Sequence, residues 1–219
     1  MSKKGEVVCV TGGSGCIGSW LVRLLLDRGY TVHATVKNLK DEKETKHLES
    51  LEGANTRLRL YQIDLLDYDS IVTAINGCAG VFHLASPCIV DQVGNVYVFQ
   101  LMLKIYIALG CTETYQDFFM GSVHFKDVAL AHIIVYENPS ATGRHLCVEA
   151  ISHYVDFVAK VAELYPEYKI PRLPMDTQPG LLRTKNGAKK LMDLGLEFIP
   201  MEQIIKDAVE SLKSQGFIS

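Results

Sequence analysis

A glycine-rich turn near the start of the chain carries its clearest chemical signal. The β-forming run 7–10 precedes glycines at Gly12, Gly15 and Gly18, and an apolar helical pattern follows. The first glycine permits a tight turn, the second lets the backbone approach a pyrophosphate, and the third allows close helix–strand packing. The helix adds N–H groups and the positive end of its dipole. The pattern predicts a dinucleotide site rather than a merely flexible turn, and a nucleophile elbow is excluded because Cys16 stands where that motif needs glycine.

A positive charge follows the second predicted strand, residues 31–36. Lys37 stands about twenty residues after the glycine turn, where an NAD site carries an acidic residue for the ribose hydroxyls. A cation at this place favours the 2′-phosphate of NADP, and Lys43 on the next predicted helix could add to it. The alternative is that both lysines are ordinary surface charges. We therefore expect NADP(H) as the cofactor.

The elements around these residues alternate between strand and helix. The patterns predict strands over 7–10, 31–36, 58–63 and 80–85, with helices over 16–28 and 42–51 and a helix capped by Asp67 that runs to Ile75. Such alternation is typical of a parallel, doubly wound sheet. We predict an α/β fold with a Rossmann-like parallel sheet whose second half is truncated, followed by a smaller C-terminal α/β region.

The rhythm of the pattern changes after Pro87. The following residues predict a strand at 123–125, a helix from an Asp127 cap to 137, a strand at 143–148, a helix from a Ser152 cap to 164, a weak helix at 184–192 and a strong one from Pro200. The last helix has an apolar stripe formed by Met201, Ile204, Ile205, Ala208, Val209 and Leu212. The apolar stretch 96–109 predicts a core helix, because it is shorter than the roughly 20 residues that a membrane span requires.

Composition limits the function classes. The chain has 219 residues, 48% of them hydrophobic, and a net charge of −3, which is typical of a soluble globular protein. Lys and Arg number 22 against 25 Asp and Glu, so there is no basic surplus for nucleic acid. The N-terminus passes into the first strand without an apolar signal core, and we expect a cytoplasmic protein. The six cysteines form no Cys-x-x-Cys pair, which favours free thiols over disulfides or zinc.

Several segments resemble the extended short-chain dehydrogenase/reductases, and within them the plant cinnamoyl-CoA reductase and dihydroflavonol reductase group. The resembling segments are 10–22, 34–37, 64–67, 80–87, 124–132, the turn 141–144 and the final helix. They cover most of residues 5–88 and 110–219. The resemblance implies an NADPH-dependent oxidoreductase that acts on hydroxycinnamoyl-CoA thioesters, aldehydes or ketones, with a phenylpropanoid-type small molecule as substrate.

The resemblance also implies which residues contact the cofactor. Lys37 corresponds to the arginine and Lys43 to the lysine that the family places at the 2′-phosphate. Two further pairs would flank the adenine (Asp64 and Leu65) and the nicotinamide ribose (Ala85 and Ser86). The full set expected to contact the cofactor is Gly12, Ser14, Gly15, Cys16, Ile17, Gly18, Lys37, Lys43, Asp64, Leu65, Ala85 and Ser86.

The catalytic residues of the family are not found in their expected place. Relatives use a serine, a tyrosine and a lysine four residues later, all after the fourth strand, where this chain has only the short stretch 89–110. The Tyr-x-x-x-Lys at 165–169 is bracketed by prolines, and its spacing needs a helix to bring the two side chains onto one face. Ser86 has no base beside it, and the histidines lack metal-site spacings. We predict no catalytic residue and no metal ligand.

Three regions and two functions follow from these observations. We expect an NADP-binding half at 5–88, a junction at 89–110 where a family segment is missing, and a substrate-side region at 111–219. Loss of the second half of the sheet would uncover one face of the first four strands, so the apolar stretch 96–109 or a partner must replace that cover. The first hypothesis is a truncated reductase with lost or severely reduced activity. The second is a non-catalytic NADPH-binding or regulatory partner that self-associates or pairs with a full-length reductase.

Overall fold

The computed structural model describes residues 5–86, 119–168, 184 and 186–218. These residues form six strands and eight helices. The strands are β1 (Val7–Thr11), β2 (Thr31–Val36), β3 (Leu58–Gln62), β4 (Gly80–His83), β5 (Phe119–Ser122) and β6 (Ala150–His153). The helices are α1 (Cys16–Asp27), α2 (Glu42–Glu49), α3 (Ala54–Arg57), α4 (Tyr68–Ile75), α5 (Phe125–Glu137), α6 (Tyr154–Leu164), α7 (Lys189–Asp193) and α8 (Met201–Ser214).

The chain divides into two compact units. Within the described residues, the first unit comprises 5–86, 125–144 and 191–196, and the second comprises the remainder. The first unit therefore contains α5 as well as the N-terminal β–α segments. The division of the chain at 89–110 into a cofactor half and a substrate half stays a prediction.

A parallel four-stranded sheet forms the centre of the first unit. Its strand order is β3-β2-β1-β4, and its register pairs Val8 with Val32 and Val10 with Phe82. This order is the first half of a doubly wound sheet, as the alternation of strands and helices predicts. The predicted Rossmann-like α/β fold is confirmed.

One face of this sheet packs against α1 and α5. Val8 and Val10 project to that face, where Leu21 and Leu25 of α1 and Ile133 of α5 are completely buried with them. The apolar spacing along α1 predicts this packing, because residues three and four apart share one side of a helix. Burial of five such side chains supplies on the order of 10 kcal/mol of favourable transfer free energy, before the entropic cost of folding.

The opposite face of the sheet is covered less evenly. Cys9 of β1 packs with Ile63 and with Ala74 of α4. The neighbouring residue on β4, Val81, is paired with Cys9 in the sheet register yet remains 50% exposed. On this face α4 therefore protects β1 and leaves Val81 half exposed, and the expectation that loss of the second half of the sheet uncovers one face stays a prediction. The stretch 96–109, proposed as replacement cover, lies outside the described residues.

The second unit has a small core of its own. β5 and β6 pair antiparallel, with Phe119 opposite His153, and helices α6 and α8 contribute the apolar side chains. The core consists of Tyr154, Phe157, Val158, Val161, Ile205, Val209, Leu212 and Ile218. The predicted stripe on the last helix is confirmed, because Ile204, Ile205, Val209 and Leu212 are all buried.

Two predicted strands and two predicted helix caps in the C-terminal part are wrong. Residues 123–125 are not a strand, because β5 ends at Ser122 and Phe125 already begins α5. Asp127 accordingly lies in the first turn of α5 and not at its cap. Residues 143–148 form no strand, since Gly143 has a positive φ of 74° and the strand that pairs with β5 is Ala150–His153. Ser152 lies in that strand, so the residue at the cap of α6 is His153.

Smaller differences concern element ends. α2 ends at Glu49, and β4 ends at His83 because the next two backbone N–H groups bond to a side chain of β1. The weak helix expected at 184–192 is observed only as α7, Lys189–Asp193, and residue 185 lies outside the described part.

Neither a membrane-spanning helix nor a disulfide bond is found in the described residues. Among them, no helix is both long and apolar enough to cross a membrane. The four cysteines of the described part, Cys9, Cys16, Cys78 and Cys147, form no disulfide bond, and the other two cysteines lie outside it. The expectation of a cytoplasmic protein stays a prediction.

Candidate functional site

The glycine turn joins the carboxyl end of β1 to the amino end of α1. Gly12 has a positive φ of 68°, a conformation that strongly favours glycine, and its carbonyl accepts a hydrogen bond from the N–H of Gly15 at 3.1 Å. Gly15 stands at the N-cap of α1 with no side chain to bond the helix N–H groups. The first turn of α1, starting at Cys16, contains no acidic residue. Its N–H groups and dipole therefore suit a bound anion.

Gly15 and Gly18 require glycine for two different structural reasons. A Cβ at Gly18 would overlap the carbonyl oxygen of Gly12, so a larger residue cannot pack there without moving the turn. A Cβ at Gly15 would make only an ordinary contact of 3.4 Å with that same oxygen. Gly15 is also exposed, which leaves its outer side open to a ligand. Gly18 thus serves packing, and Gly15 allows close approach to the backbone, as the sequence pattern predicts.

Two buried threonines attach the turn to the neighbouring strands. Thr35 of β2 accepts the N–H of Gly12 on its hydroxyl at 3.1 Å and the N–H of Gly13 on its carbonyl at 2.9 Å. Thr11 of β1 accepts the N–H groups of Leu84 and Ala85, each at 3.1 Å. The three strand ends are therefore fixed to one another at the edge of the sheet where ligands bind in open α/β folds.

This arrangement brings Ala85 against the glycine turn. A Cβ on Gly12 would lie 3.1 Å from both Cα and N of Ala85, so the two backbones are in close contact. Ser86, the last described residue of this segment, is exposed beside it. The two residues that the family resemblance places at the nicotinamide ribose thus lie at the same sheet edge as the turn.

The two predicted phosphate-binding lysines lie at the end of β2 and in the first turn of α2. Both Lys37 and Lys43 are exposed, and α2 begins after an Asp41 cap whose carboxylate accepts the N–H of Lys43 at 2.9 Å. A carboxylate that the sequence patterns do not reveal, that of Glu44, bonds to the backbone at the first of these lysines. Glu44 accepts the backbone N–H of Lys37 at 2.7 Å and that of Asn38 at 3.2 Å.

Asp64 and Leu65 follow β3. The carboxylate of Asp64 accepts the N–H of Leu66 at 2.9 Å, which closes a local turn, and its own N–H donates to the hydroxyl of Ser70 at 3.2 Å. Leu65 is 39% exposed and Leu66 is 96% exposed. The segment therefore presents an apolar surface after β3, in keeping with the adenine-flanking role that the resemblance implies.

Tyr165 differs from the acid–base tyrosine of the family. It lies beyond the last residue of α6, with φ and ψ of −135° and 67°, so it has no helical neighbour four residues on. Burial, together with the negative charge of Glu210, raises the pKa of its phenol. A catalytic tyrosine needs the opposite shift at neutral pH. Lys169 lies outside the described residues.

The buried thiols of the first unit are poor nucleophiles. Burial raises the pKa of Cys9 to about 12, with a smaller contribution from Cys78, whose own pKa is raised by burial. Thiolates, not thiols, attack carbonyls and bind metals. Within the described part of the chain, no group of three or more His, Cys, Asp or Glu side chains is arranged to hold a metal ion.

Comparisons with known proteins agree with this geometry. The family of GDP-mannose 4,6 dehydratase matches residues 9–96, which include the glycine turn. Cinnamoyl-CoA reductase 1 of Petunia hybrida is 33% identical over 317 aligned positions that cover 99% of this chain and 95% of the relative. The chain belongs to the cinnamoyl-CoA reductase group of extended short-chain dehydrogenase/reductases. Cinnamoyl-CoA reductase 1 of Arabidopsis thaliana is 31% identical, with coverage of 100% and 92%.

Solved structures agree on the fold of this reductase-group chain. Vestitone reductase from alfalfa superposes with a TM-score of 0.76 at 24% identity, covering 97% of this chain and 99% of the other. The yeast methylglyoxal/isovaleraldehyde reductase Gre2, solved with NADPH, gives a TM-score of 0.67 at 18% identity, with coverage of 96% and 99%.

The alignment with the petunia reductase is longer than this chain. The 317 positions aligned with the petunia reductase exceed the 219 residues of this chain by 98. The relative therefore contains about 98 positions that have no counterpart in this member of the group. That these positions form the catalytic segment after β4 stays a prediction.

Proposed function

We propose that the chain binds NADP(H) at the carboxyl edge of the four-stranded sheet β3-β2-β1-β4 through the twelve residues predicted from the sequence. The observation that carries the proposal is the turn itself, in which Gly15 is exposed at the start of a helix whose first turn is free of acidic residues. The nearest atom to a Cβ on Gly15 would be the carbonyl oxygen of Gly12, 3.4 Å away. The glycine turn therefore leaves room for a pyrophosphate beside Gly15.

Each part of the dinucleotide has a matching surface. The pyrophosphate suits the N–H groups of α1, the adenine suits Leu65, and a 2′-phosphate suits the exposed ammonium groups of Lys37 and Lys43. Ala85 and Ser86, which follow β4, suit the nicotinamide ribose. When bound, the cofactor supplies a hydride. The chain's own residues bind and orient it.

We infer further that the chain is a truncated reductase of this group with lost or severely reduced activity. Relatives such as the petunia protein are cinnamoyl-CoA reductases, so the expected substrate is a phenylpropanoid-type CoA thioester, aldehyde or ketone. The pKa of the Tyr165 phenol is raised, and the residue lies outside a helix. Tyr165 is therefore a poor replacement for the acid–base tyrosine of the family. Loss of acid–base help costs about 10²–10⁴-fold in rate.

Titration and turnover together test this function. Saturable binding of NADPH, followed by nicotinamide fluorescence, with hydride transfer to feruloyl-CoA or a cinnamaldehyde at least about 100-fold slower than in a full-length relative, is the expected result. Turnover at the rate of a full-length relative would contradict the proposed loss of activity. Failure to bind NADPH would contradict the cofactor site itself.

A second candidate function is a regulatory partner of a full-length reductase. The half-exposed Val81 on β4 favours it, since α4 packs against Cys9 of the neighbouring strand on the same sheet face but leaves this apolar side chain 50% exposed. Mixing the chain with a full-length reductase in analytical ultracentrifugation tests this role. A hetero-complex that changes the reductase rate is expected for a regulator, and two independently sedimenting species would rule it out.

A further inference from the structure

We propose that Glu44 sets the preference of this chain between NADPH and NADH by holding a carboxylate at the end of β2, beside the 2′ position of the adenosine ribose. The inference rests on the proposed cofactor site and names a residue that neither the glycine pattern nor the family resemblance singles out. Glu44 lies in the first turn of α2, and its side chain reaches back to the backbone that follows β2.

The loop after β2 leaves little backbone available for a phosphate. Glu44 accepts the N–H groups of Lys37 and Asn38 at 2.7 and 3.2 Å, and Gln62 accepts that of Leu39 at 3.1 Å. The next two N–H groups, of Lys40 and Asp41, bond to the side chain and the carbonyl of Asn38 at 2.9 and 3.2 Å. Every N–H from Lys37 to Asp41 thus has an acceptor within the protein, and two of the five are given to Glu44.

A carboxylate at the end of the second strand helps to distinguish NAD from NADP in dinucleotide-binding folds. An acidic group at the end of the second strand accepts hydrogen bonds from the ribose hydroxyls of NAD, whereas a 2′-phosphate needs cations. Here the side chain at the strand end is a lysine, but Glu44 brings a carboxylate to the same backbone from the next helix. The site therefore contains one feature that favours NADPH and one that opposes it.

A 2′-phosphate can be accommodated in two ways, and both involve Glu44. If the carboxylate stays, it repels the phosphate and weakens the attraction of Lys37 and Lys43. If the phosphate takes the N–H groups of Lys37 and Asn38, the Glu44 side chain must leave them and give up two charge-assisted hydrogen bonds. NADH has a hydroxyl at this position, which can donate to the carboxylate and meets no such opposition.

Glu44→Gln removes the charge while keeping an oxygen that can accept the same two N–H groups, so the loop conformation is preserved. We expect it to tighten NADPH binding about tenfold, equivalent to about 1.4 kcal/mol, with NADH binding unchanged or weaker. Glu49→Gln is the matched control, because it makes the same change at the far end of the same helix. Dissociation constants for both nucleotides are measured by nicotinamide fluorescence, with thermal melts to verify folding.

The outcomes separate this inference from the cofactor site on which it rests. A shift of the NADPH to NADH affinity ratio in Glu44→Gln but not in Glu49→Gln supports it. Ratios within twofold of the wild-type value in both variants overturn it while leaving the cofactor site standing, and wild-type protein that binds neither nucleotide overturns both. Glu44→Ala, which removes the acceptor altogether and opens both N–H groups to a phosphate, is assessed in the same way should the glutamine variant melt early.

Discussion

The hydroxyl of Thr11 lies 2.8 Å from Nδ1 of His83 and joins the ends of β1 and β4. The same oxygen accepts the backbone N–H groups of Leu84 and Ala85, each at 3.1 Å. One buried side chain thereby aligns the segment that presents Ala85 to the glycine turn.

Replacing this hydroxyl should affect both stability and cofactor binding. Thr11→Val keeps the shape of the side chain but leaves two N–H groups without their acceptor, which costs about 1–3 kcal/mol in the free energy of unfolding. Because Ala85 loses its anchor, NADPH affinity should fall as well. Urea unfolding followed by circular dichroism and an NADPH titration measure the two effects.

Thr11→Ser is the control for that substitution, since it retains the hydroxyl and loses only a methyl group. It should bind NADPH within about threefold of the wild type, because the acceptor for Leu84 and Ala85 remains. Equal behaviour of the serine and valine variants in both assays would show that the hydrogen bonds of Thr11 do not align the β4 segment.

Two glycines of the turn should respond differently to the same added methyl group. Gly18→Ala places a Cβ against the carbonyl of Gly12, and such overpacking costs about 1–3 kcal/mol of stability. Gly15→Ala meets only an ordinary contact, so its stability should stay within about 0.5 kcal/mol of the wild type. Its methyl group nevertheless stands where a pyrophosphate would approach, and NADPH binding should weaken at least about tenfold.

Melting curves and NADPH titrations on the two alanine variants check this contrast. The informative variant is Gly15→Ala, because it separates the ligand from the fold. If it binds NADPH as tightly as the wild type, the pyrophosphate does not lie on the backbone at Gly15.

The N-terminal unit was predictable because its signals are local. β2 was expected at 31–36 and occurs there, since a β-forming run between Gly29 and Lys37 is long enough to identify without its partners. β5 was missed for the opposite reason. Phe119–Ser122 contains Gly121 and becomes a strand only by pairing with Ala150–His153, whereas the more β-prone run 123–125 has no such partner in the structure's described part.

The candidate site was predictable to a similar extent. The glycines and Lys37 follow from spacing relative to a strand end. Thr11, Thr35 and Glu44 do not, because each acts through a hydrogen bond to backbone that is distant in sequence or folded back by a loop. A polar residue at the last position of a buried parallel strand, such as Thr11, was nonetheless a usable signal, since side chains at that sheet edge reach the ligand site.

The apolar stripe of α8 should dominate the stability of the second unit. Ile205 is completely buried against the core that includes Tyr154 and Phe157, so Ile205→Ala should cost about 2–5 kcal/mol. Glu210→Ala on the exposed side of the same helix is the control, with an expected change within about 0.5 kcal/mol. Chemical denaturation monitored by tyrosine fluorescence and far-ultraviolet circular dichroism measures both, and equal effects would mean that the stripe is not a core.

Alkaline unfolding should depend on Tyr136. Burial, together with its hydrogen bond of 3.0 Å to Glu6, raises the pKa of its phenol from 10.0 to about 12. Between these values the unfolded chain loses the phenol proton while the folded protein keeps it, so the free energy of unfolding falls as the pH rises through this range. The stabilising contribution is complete below pH 10 and is lost by about pH 12.

Tyr136→Phe tests this pH dependence. It should lower the free energy of unfolding at pH 8, because the hydrogen bond to Glu6 is lost, and it should flatten the decline of that free energy above pH 10. Urea midpoints from pH 8 to pH 11.5 measure this slope, with Tyr61→Phe as a comparison on the other face of the sheet; parallel curves for wild type and Tyr136→Phe would contradict the assignment.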